Sequence, residues 1–167
     1  MRQLTGSEFN LLIESWQEDQ VLGVESLFEV ELTDQQKQLV NLADDQKARV
    51  AVSSCTGSGK TAVLSMLTLL YLMILPDCRI LITSPSSQQL RRVFYAEIRK
   101  WHRRMPEQFQ EYYDLTIETI RYINSEKYEN FASMVTASVE NKEALQGGHA
   151  ENYIIFADEA SGISEEA

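Results

Sequence analysis

The nine residues 53–61, SSCTGSGKT, constrain this chain more than any other stretch. They follow the pattern G-x-x-x-x-G-K-[ST], except that Ser54 stands where the first glycine is usual. In such a loop, backbone N–H groups surround a phosphate at the start of a helix, and glycine lets the backbone turn them inward. Because the first glycine mainly eases the turn at a strand end, a small residue is tolerated there. We therefore interpret the stretch as a phosphate-binding loop.

The segments on either side favour this interpretation. Residues 49–54 (RVAVSS) are a β-branched run that predicts a strand, and residues 60–74 predict an apolar helix. Strand, glycine loop and helix is the order that a phosphate loop requires. The apolar run 62–76 is shorter than the roughly 18 residues of a membrane span, so it predicts a buried helix and not an anchor.

Each residue of the loop has an expected role. Lys60 would reach the β- and γ-phosphates of a nucleotide as a point charge, and the Thr61 hydroxyl would bind Mg²⁺. The competing interpretation is a Gly/Ser turn that happens to contain lysine. The predicted nucleotide-binding residues of the loop are Ser54, Cys55, Thr56, Gly57, Ser58, Gly59, Lys60 and Thr61.

Helical and strand patterns alternate along the chain and predict an α/β fold. Helices are predicted over 7–28 (as one or two), 33–42 and 86–104, and strands over 79–83, 115–123, 134–139 and 153–157. The last strand, YIIFA, is almost wholly apolar. That composition predicts a place at the centre of a parallel sheet covered on both faces.

Two carboxylates, Asp158 and Glu159, directly follow this last strand. A strand-terminal aspartate would hold Mg²⁺, and the next acid would orient or deprotonate an attacking water. Acidic residues at this position also cap a following helix. The phosphate loop about a hundred residues upstream favours the metal site.

Other polar and aromatic residues leave alternatives open. The amide of Gln36 could recognise adenine, or it could complete a capping box with Thr33. His102 and His149 have no metal-type partners and are expected on the surface or in loops. Trp16 and Trp101 lie on apolar stripes and are expected in the core, while Cys55 and Cys78, far apart in the chain, are expected to be free thiols.

One basic segment stands out in an acidic chain. The net charge is −10, yet residues 89–104 carry six basic residues against one acidic residue. This segment is either a solvated helix face, a contact for a DNA backbone, or the source of an arginine that stabilises charge at the γ-phosphate. Its candidate arginines are Arg91, Arg92, Arg99 and Arg103.

Four stretches together resemble one family. They are TDQQKQLV, RVAVSSCTGSGKT, ILITSPSSQQLRRVFYAEIRKW and, most specifically, LQGGHAENYIIFADEASGIS. From about Trp16 to the end, the chain is similar to the N-terminal ATPase part of the large subunit of a tailed-phage terminase, the motor that packages DNA into capsids.

The resemblance implies a fold and a set of roles. The fold would be a P-loop NTPase of the additional-strand type, three-layered around a central, mostly parallel sheet, with a helical lead-in over 1–45 and a core over 46–167. ATP and Mg²⁺ would be the cofactors. Lys60 would contact phosphate, Thr61 and Asp158 would hold Mg²⁺, Glu159 would be the catalytic acid or base, and Gln36 would lie near adenine.

The resemblance also implies partners and a setting. They are double-stranded DNA, the terminase small subunit and the capsid portal, in an oligomeric ring of the full-length protein, with no membrane contact, in the cytoplasm of the host cell of a phage or prophage. The coupling motif and nuclease of the family do not follow Glu159. We therefore expect a fragment, a partial gene product or a prophage relic, with a sheet incomplete at its C-terminus.

Two departures keep other functions open. Many terminases place an arginine inside the phosphate loop, where this chain has Cys55 and Thr56, so an arginine of residues 91–104 or of a neighbouring subunit would have to serve. TGSGKT and SPSSQQL also resemble motifs of superfamily-two helicases, so a helicase-like DNA translocase is an alternative. A non-catalytic remnant is the third.

Overall fold

The computed structural model describes residues 4–44, 49–53, 57–125, 127–136 and 150–159. Within these ranges the chain is α/β. The helices are α1 Gly6–Glu18, α2 Gln20–Phe28, α3 Asp34–Ala43, α4 Lys60–Ile74, α5 Ser87–Gln89, α6 Tyr95–His102 and α7 Glu107–Gln110, and the strands are β1 Cys78–Ser84, β2 Tyr113–Leu115, β3 Thr119–Tyr122, β4 Asn130–Thr136 and β5 Asn152–Ala157.

The five strands form one mixed sheet with the order β2-β3-β4-β1-β5. β1 pairs in parallel with β4 and with β5, whereas β3 pairs antiparallel with β2 and with β4. The described sheet is therefore mixed, whereas the sequence predicted a mostly parallel sheet. The short connections 116–118 and 123–129 account for the two antiparallel pairs, because so few residues join only antiparallel strands, and in the first connection the Thr116 hydroxyl hydrogen-bonds the backbone of Thr119.

Helix α4 is the centre of the core. It is apolar on every side, and it is buried continuously from Ser65 to Ile74. It packs on β1, β3 and β4, and α1, α2, α3 and α6 pack around it. This confirms the buried helix that the sequence predicted. No helix within the described ranges is long and apolar enough to cross a bilayer.

Two of the N-terminal helices begin at threonine caps, of which the sequence predicted the one at Thr33. Thr5 caps α1 and Thr33 caps α3, each in a complete capping box with the residue three positions on. Asp19 ends α1 and caps α2, so the predicted segment 7–28 is two helices.

The segment before the phosphate loop corrects one prediction. Residues 49–53 form no strand, and the side chains of Val50 and Val52 are 39% and 45% exposed. A β-branched run favours extended backbone, but a strand also needs a paired neighbour. No described strand pairs with this segment. Of the predicted strand–loop–helix unit, the structure therefore shows the loop from Gly57 onward and the helix.

Strand β5 corrects another prediction. It lies at the edge of the described sheet, paired with β1 on one side, and Ile155 is 48% exposed. Its apolar composition predicted a central, doubly covered strand. The expected neighbour on its outer side is not found among the described strands, so the P-loop NTPase fold with three layers stays a prediction.

Smaller differences concern where elements begin and end. The predicted strand 115–123 is the hairpin of β2 and β3, and β4 begins at Asn130, four residues before the predicted start. Residues 137–139 lie outside the described ranges. The predicted helix 86–104 is helical from Ser87 to His102, with a π-helical turn at Leu90–Phe94 between α5 and α6.

Candidate nucleotide-binding site

The glycine loop enters helix α4 with the backbone that a phosphate loop needs. Gly57 and Gly59 have φ angles of +87° and +84°, in the left-handed region that glycine adopts without strain. Gly59 is the N-cap of α4, and its carbonyl accepts the first helical hydrogen bond, from the Val63 N–H at 3.0 Å. Lys60 and Thr61 are thus the first residues of a long helix, at its positive end.

Three of the predicted loop residues lie outside the described part of the chain. Ser54, Cys55 and Thr56 lie outside the described residues, and so does the QGGH segment that precedes β5. The loop is therefore described from Gly57 onward.

Thr61 and Asp158 meet, although 97 residues separate them in the sequence. The Thr61 hydroxyl donates to both carboxylate oxygens of Asp158, at 3.1 Å and 3.3 Å. The fold thus brings together the two residues that the sequence predicted as Mg²⁺ ligands. A hydroxyl and a carboxylate are oxygen ligands of the kind that Mg²⁺ prefers.

The backbone around Asp158 explains its position. The Asp158 N–H donates to the Thr83 carbonyl at 2.9 Å, which continues the pairing of β5 with β1 past the end of the strand. The carboxylate is thereby held under the first turn of α4. It is buried, with 4% of the residue exposed.

Burial raises the pKa of the Asp158 carboxyl, and the charge of Glu159 adds to this effect. The hydrogen bond from Thr61 and the charge of Lys60 act in the opposite direction, lowering that pKa. A buried carboxylate is stabilised by a cation that replaces its lost hydration. The residues present therefore fit a divalent metal ion at this point.

Lys60 lies in the same corner of the molecule. Its ammonium Nζ is 3.5 Å from the Ser58 hydroxyl oxygen, inside the loop that it follows. The side chain is half-buried. The Lys60 ammonium therefore lies near the loop, close enough for its charge to lower the pKa of the Asp158 carboxyl.

Glu159 has an unusual backbone. Its φ of 59° lies in the left-handed region, which costs a residue with a side chain about 1 kcal/mol or more. Such strain persists where the surrounding structure enforces it, and it clusters at functional sites. The residue is exposed.

The structure also shows polar groups that the sequence did not single out. The hydroxyls of Ser65, Thr83 and Ser84 are buried without a hydrogen-bond partner among the described residues. In the pairing of β1 with β5, the last pair is Thr83 with Ala157, so the next residues, Ser84 and Asp158, are neighbours across these two strands. The signal was a pair of hydroxyl residues at the end of an apolar strand.

Gln36 completes the predicted capping box and also lies against the loop. Its side-chain carbonyl accepts from the Thr33 N–H at 3.0 Å. A Cβ built on Gly59 would lie 2.6 Å from the Gln36 Nε2. The capping role is confirmed, and the adenine role stays a prediction.

The basic residues line the exposed side of one helical segment. Arg91 and Arg92 stand near its start, just after the carboxyl end of β1, and Arg91 lies 3.9 Å from a carboxylate oxygen of Glu118. Arg103 stands 12 residues beyond Arg91, which is ~18 Å along a helix. The segment therefore does not bring its arginines to one point.

The other candidates have structural roles. His102 contacts the Gln110 carbonyl through Nε2 at 3.0 Å and is half-buried, and Trp16 and Trp101 are buried in the core as predicted. Cys78 is a free thiol whose pKa burial raises to about 12. No cluster of three metal-ligating side chains occurs among the described residues, and His149 and Cys55 lie outside them.

Comparison with known proteins agrees with this geometry. A family model described as terminase large subunit, T4likevirus-type, N-terminal, matches residues 53–167. A probable terminase large subunit of Enterobacteria phage P7 is 25% identical over 167 residues, which cover 98% of this chain and 34% of that relative. The chain thus spans about a third of the length of the relative it matches. Because this family model covers more than half of the chain, the chain belongs to the terminase large subunit family and corresponds to its N-terminal region.

Proposed function

We propose that the chain binds ATP with Mg²⁺ and hydrolyses it, as the ATPase part of a motor that moves double-stranded DNA. The observation that carries this proposal is the contact between Thr61, at the start of α4, and the buried carboxylate of Asp158. It joins a glycine loop at a helix N-terminus to an acidic strand end, the two halves of a P-loop site.

Each residue has a distinct task in this mechanism. The N–H groups at the start of α4 and the Lys60 ammonium hold and neutralise the β- and γ-phosphates. Thr61 and Asp158 would hold Mg²⁺, and the ion would supply positive charge beside the phosphate oxygens. Glu159 orients the attacking water and accepts its proton.

The motor function is inferred from the family and from charge. Membership of the terminase family favours DNA packaging over the helicase alternative. The exposed arginines of residues 91–103 are the local positive charge that an acidic chain needs to contact a DNA backbone. For a terminase large subunit, the small subunit, the portal and a ring of copies would be the partners, in the host cytoplasm.

The test is ATP hydrolysis by the chain, compared with Lys60→Ala and Glu159→Gln. Because phosphoryl transfer depends on positioning and electrostatics, we expect either variant to lose at least about a hundredfold in turnover while keeping its melting temperature. Asp114→Asn, an exposed site on β2, is the control and should hydrolyse like the parent. A parent no faster than both variants would mean that this chain is the non-catalytic remnant.

A further inference from the structure

Ser84 stands in the middle of a row of oxygen-bearing side chains at the carboxyl end of the sheet. It is the last residue of β1, it pairs with Thr136 of β4, and beyond the last pair of β1 with β5 it lies opposite Asp158. Because side chains alternate between the two faces of a sheet, residues that lie opposite each other in register share a face. Two hydroxyls and one carboxylate therefore lie side by side at this edge.

This row lies on the face of the sheet that α4 covers. Ile80 and Ile82, four and two residues before Ser84, belong to the same hydrophobic core as α4. By the alternation along β1, Ser84 is on their face of the sheet. Asp158 is on it too, because its carboxylate accepts from Thr61 in the first turn of α4. Ser84 is therefore the neighbour of Asp158 on the side where α4 begins.

The hydroxyl of Ser84 is buried without a partner. No part of the residue is exposed, and its Oγ makes no hydrogen bond to any described residue. An unpaired buried hydroxyl costs free energy, which alanine in the same place would avoid. Such a group in a folded protein is explained by a bound water or ion, or by a role in the chemistry of a site. The position of Ser84 beside Asp158 favours a role at the candidate metal site.

A hydrated Mg²⁺ ion is the group that fits this place. Mg²⁺ keeps several of its waters and is bound through one or two carboxylates together with substrate phosphates. Thr61 and Asp158 offer one hydroxyl and one carboxylate, so the waters of the ion need further hydrogen-bond acceptors. We propose that Ser84 is a positioning residue of the metal site, whose hydroxyl accepts a hydrogen bond from a water of the ion and so orients its hydration shell. This rests on the proposed nucleotide site.

The experiment measures the affinity of the full chain for a non-hydrolysable ATP analogue by calorimetric titration, with Mg²⁺ and with a chelator. It compares the parent with Ser84→Ala and Ser65→Ala. Ser65 is the matched control, because its hydroxyl is equally buried without a described partner, yet it stands four residues beyond Thr61, ~6 Å further along α4.

We expect Ser84→Ala to reduce the gain in affinity that Mg²⁺ gives by about three- to tenfold, because one hydrogen bond to the hydration shell is lost. The affinity in chelator should change by less than about twofold. Ser65→Ala should leave both affinities within about twofold of the parent.

A second measurement separates the metal site from the stability of the fold. In chelator, Ser84→Ala removes a buried hydroxyl that has no described partner, so its midpoint of urea denaturation should be at or above that of the parent. A serine required only for packing at the end of β1 would instead lower that midpoint when replaced.

The other outcomes overturn the proposal. An undiminished Mg²⁺ gain in Ser84→Ala would remove its hydroxyl from the metal site, and an equal loss in Ser65→Ala would make the loss a general effect of the core. A loss of the same size in chelator would mean that Ser84 acts on the nucleotide, and a lower denaturation midpoint would assign it a structural role. A parent whose affinity does not rise with Mg²⁺ would instead refute the metal site itself, and the inference with it, whatever the variants do.

Discussion

Asp158 places a carboxyl group in an almost completely buried position, where its ionised form costs stability when no cation is present. We expect Asp158→Asn to raise the free energy of unfolding of the metal-free chain by about 1 kcal/mol, because the amide loses the charge and can still accept from Thr61. Urea denaturation in the presence of a chelator measures this. A less stable variant would contradict the interpretation that Thr61 and Lys60 only partly compensate the buried carboxylate of Asp158.

Added MgCl₂ extends that prediction. An ion that binds the folded state stabilises it, so the melting temperature of the parent should rise with Mg²⁺ and that of Asp158→Asn should not. Asp114→Asn, on the exposed side of β2, is the matched control and should respond as the parent does. Equal responses of the parent and Asp158→Asn would exclude Mg²⁺ binding at this carboxylate.

The two glycines of the loop give a second prediction. Alanine at Gly57 would adopt a strained left-handed backbone with no described atom within 4 Å of its Cβ, and we expect a cost of about 1–2 kcal/mol. Alanine at Gly59 suffers the same strain and also meets the Gln36 amide, so it should cost about 1 kcal/mol more. In a Gln36→Ala background this difference should vanish. A difference that persists there would mean that Gln36 does not limit the space at Gly59.

A single buried side chain joins three elements of the fold. Asn130, the first residue of β4, donates to the carbonyls of Leu72 at 2.9 Å and Leu75 at 2.8 Å, at the end of α4. Its side-chain oxygen accepts from the Cys78 N–H, at the start of β1, at 2.8 Å. The amide therefore satisfies backbone groups that the helix end and the strand start leave free.

We expect Asn130→Ala to lower the free energy of unfolding by about 2–4 kcal/mol, because it leaves buried backbone groups unsatisfied. Asn152→Ala is the control, since Asn152 is half-buried and its side chain donates to the Pro76 carbonyl, and it should cost about 1 kcal/mol. Chemical denaturation of both variants measures the difference. Equal costs would show that the junction at Asn130 does not stabilise the fold.

Local signals predicted the helices better than the strands. Caps at Thr33 and Gly59 and the apolar content of α4 depend on residues close in sequence, and these elements begin as predicted. Strands depend on distant partners. The run 49–53 has strand-forming residues but no described neighbour, and β5 has an interior composition although it lies at the edge of the described sheet.

The candidate site likewise combines features that short sequence motifs predict with features that depend on distant residues. Motif spacing predicted Thr61 and Asp158 as one metal site, and the fold brings them together. The contact between Gln36 and Gly59 could not be predicted, because it depends on how α3 packs beside α4. The buried hydroxyls of Thr83 and Ser84 were missed for the same reason, since only the pairing of β1 with β5 places them at the site.

The distribution of charge over the whole molecule gives a prediction about DNA. With a net charge of −10, the chain is repelled by DNA except where its basic segment faces the backbone. The double variant Arg99→Glu, Arg103→Glu should weaken binding to duplex DNA at least about tenfold at low salt and flatten its salt dependence. Fluorescence anisotropy at several salt concentrations measures both effects.

The control makes the same change of charge elsewhere. Arg121→Glu with Lys127→Glu alters two exposed cations around the start of β4, away from the helical segment, and should reduce affinity far less. Equal losses in the two double variants would show that only net charge matters. Unchanged affinity in the first double variant would exclude the helical segment as a DNA contact.

The most direct test of the nucleotide site is calorimetric titration of ATP into the parent, Thr61→Val and Asp158→Asn, each with and without Mg²⁺. If the two residues hold the metal of a bound nucleotide, the parent binds ATP more tightly with Mg²⁺ than without it, and both variants lose that difference. Binding that Mg²⁺ strengthens equally in all three proteins would contradict the assignment of the metal site, and a parent that binds no ATP would contradict the nucleotide site as a whole.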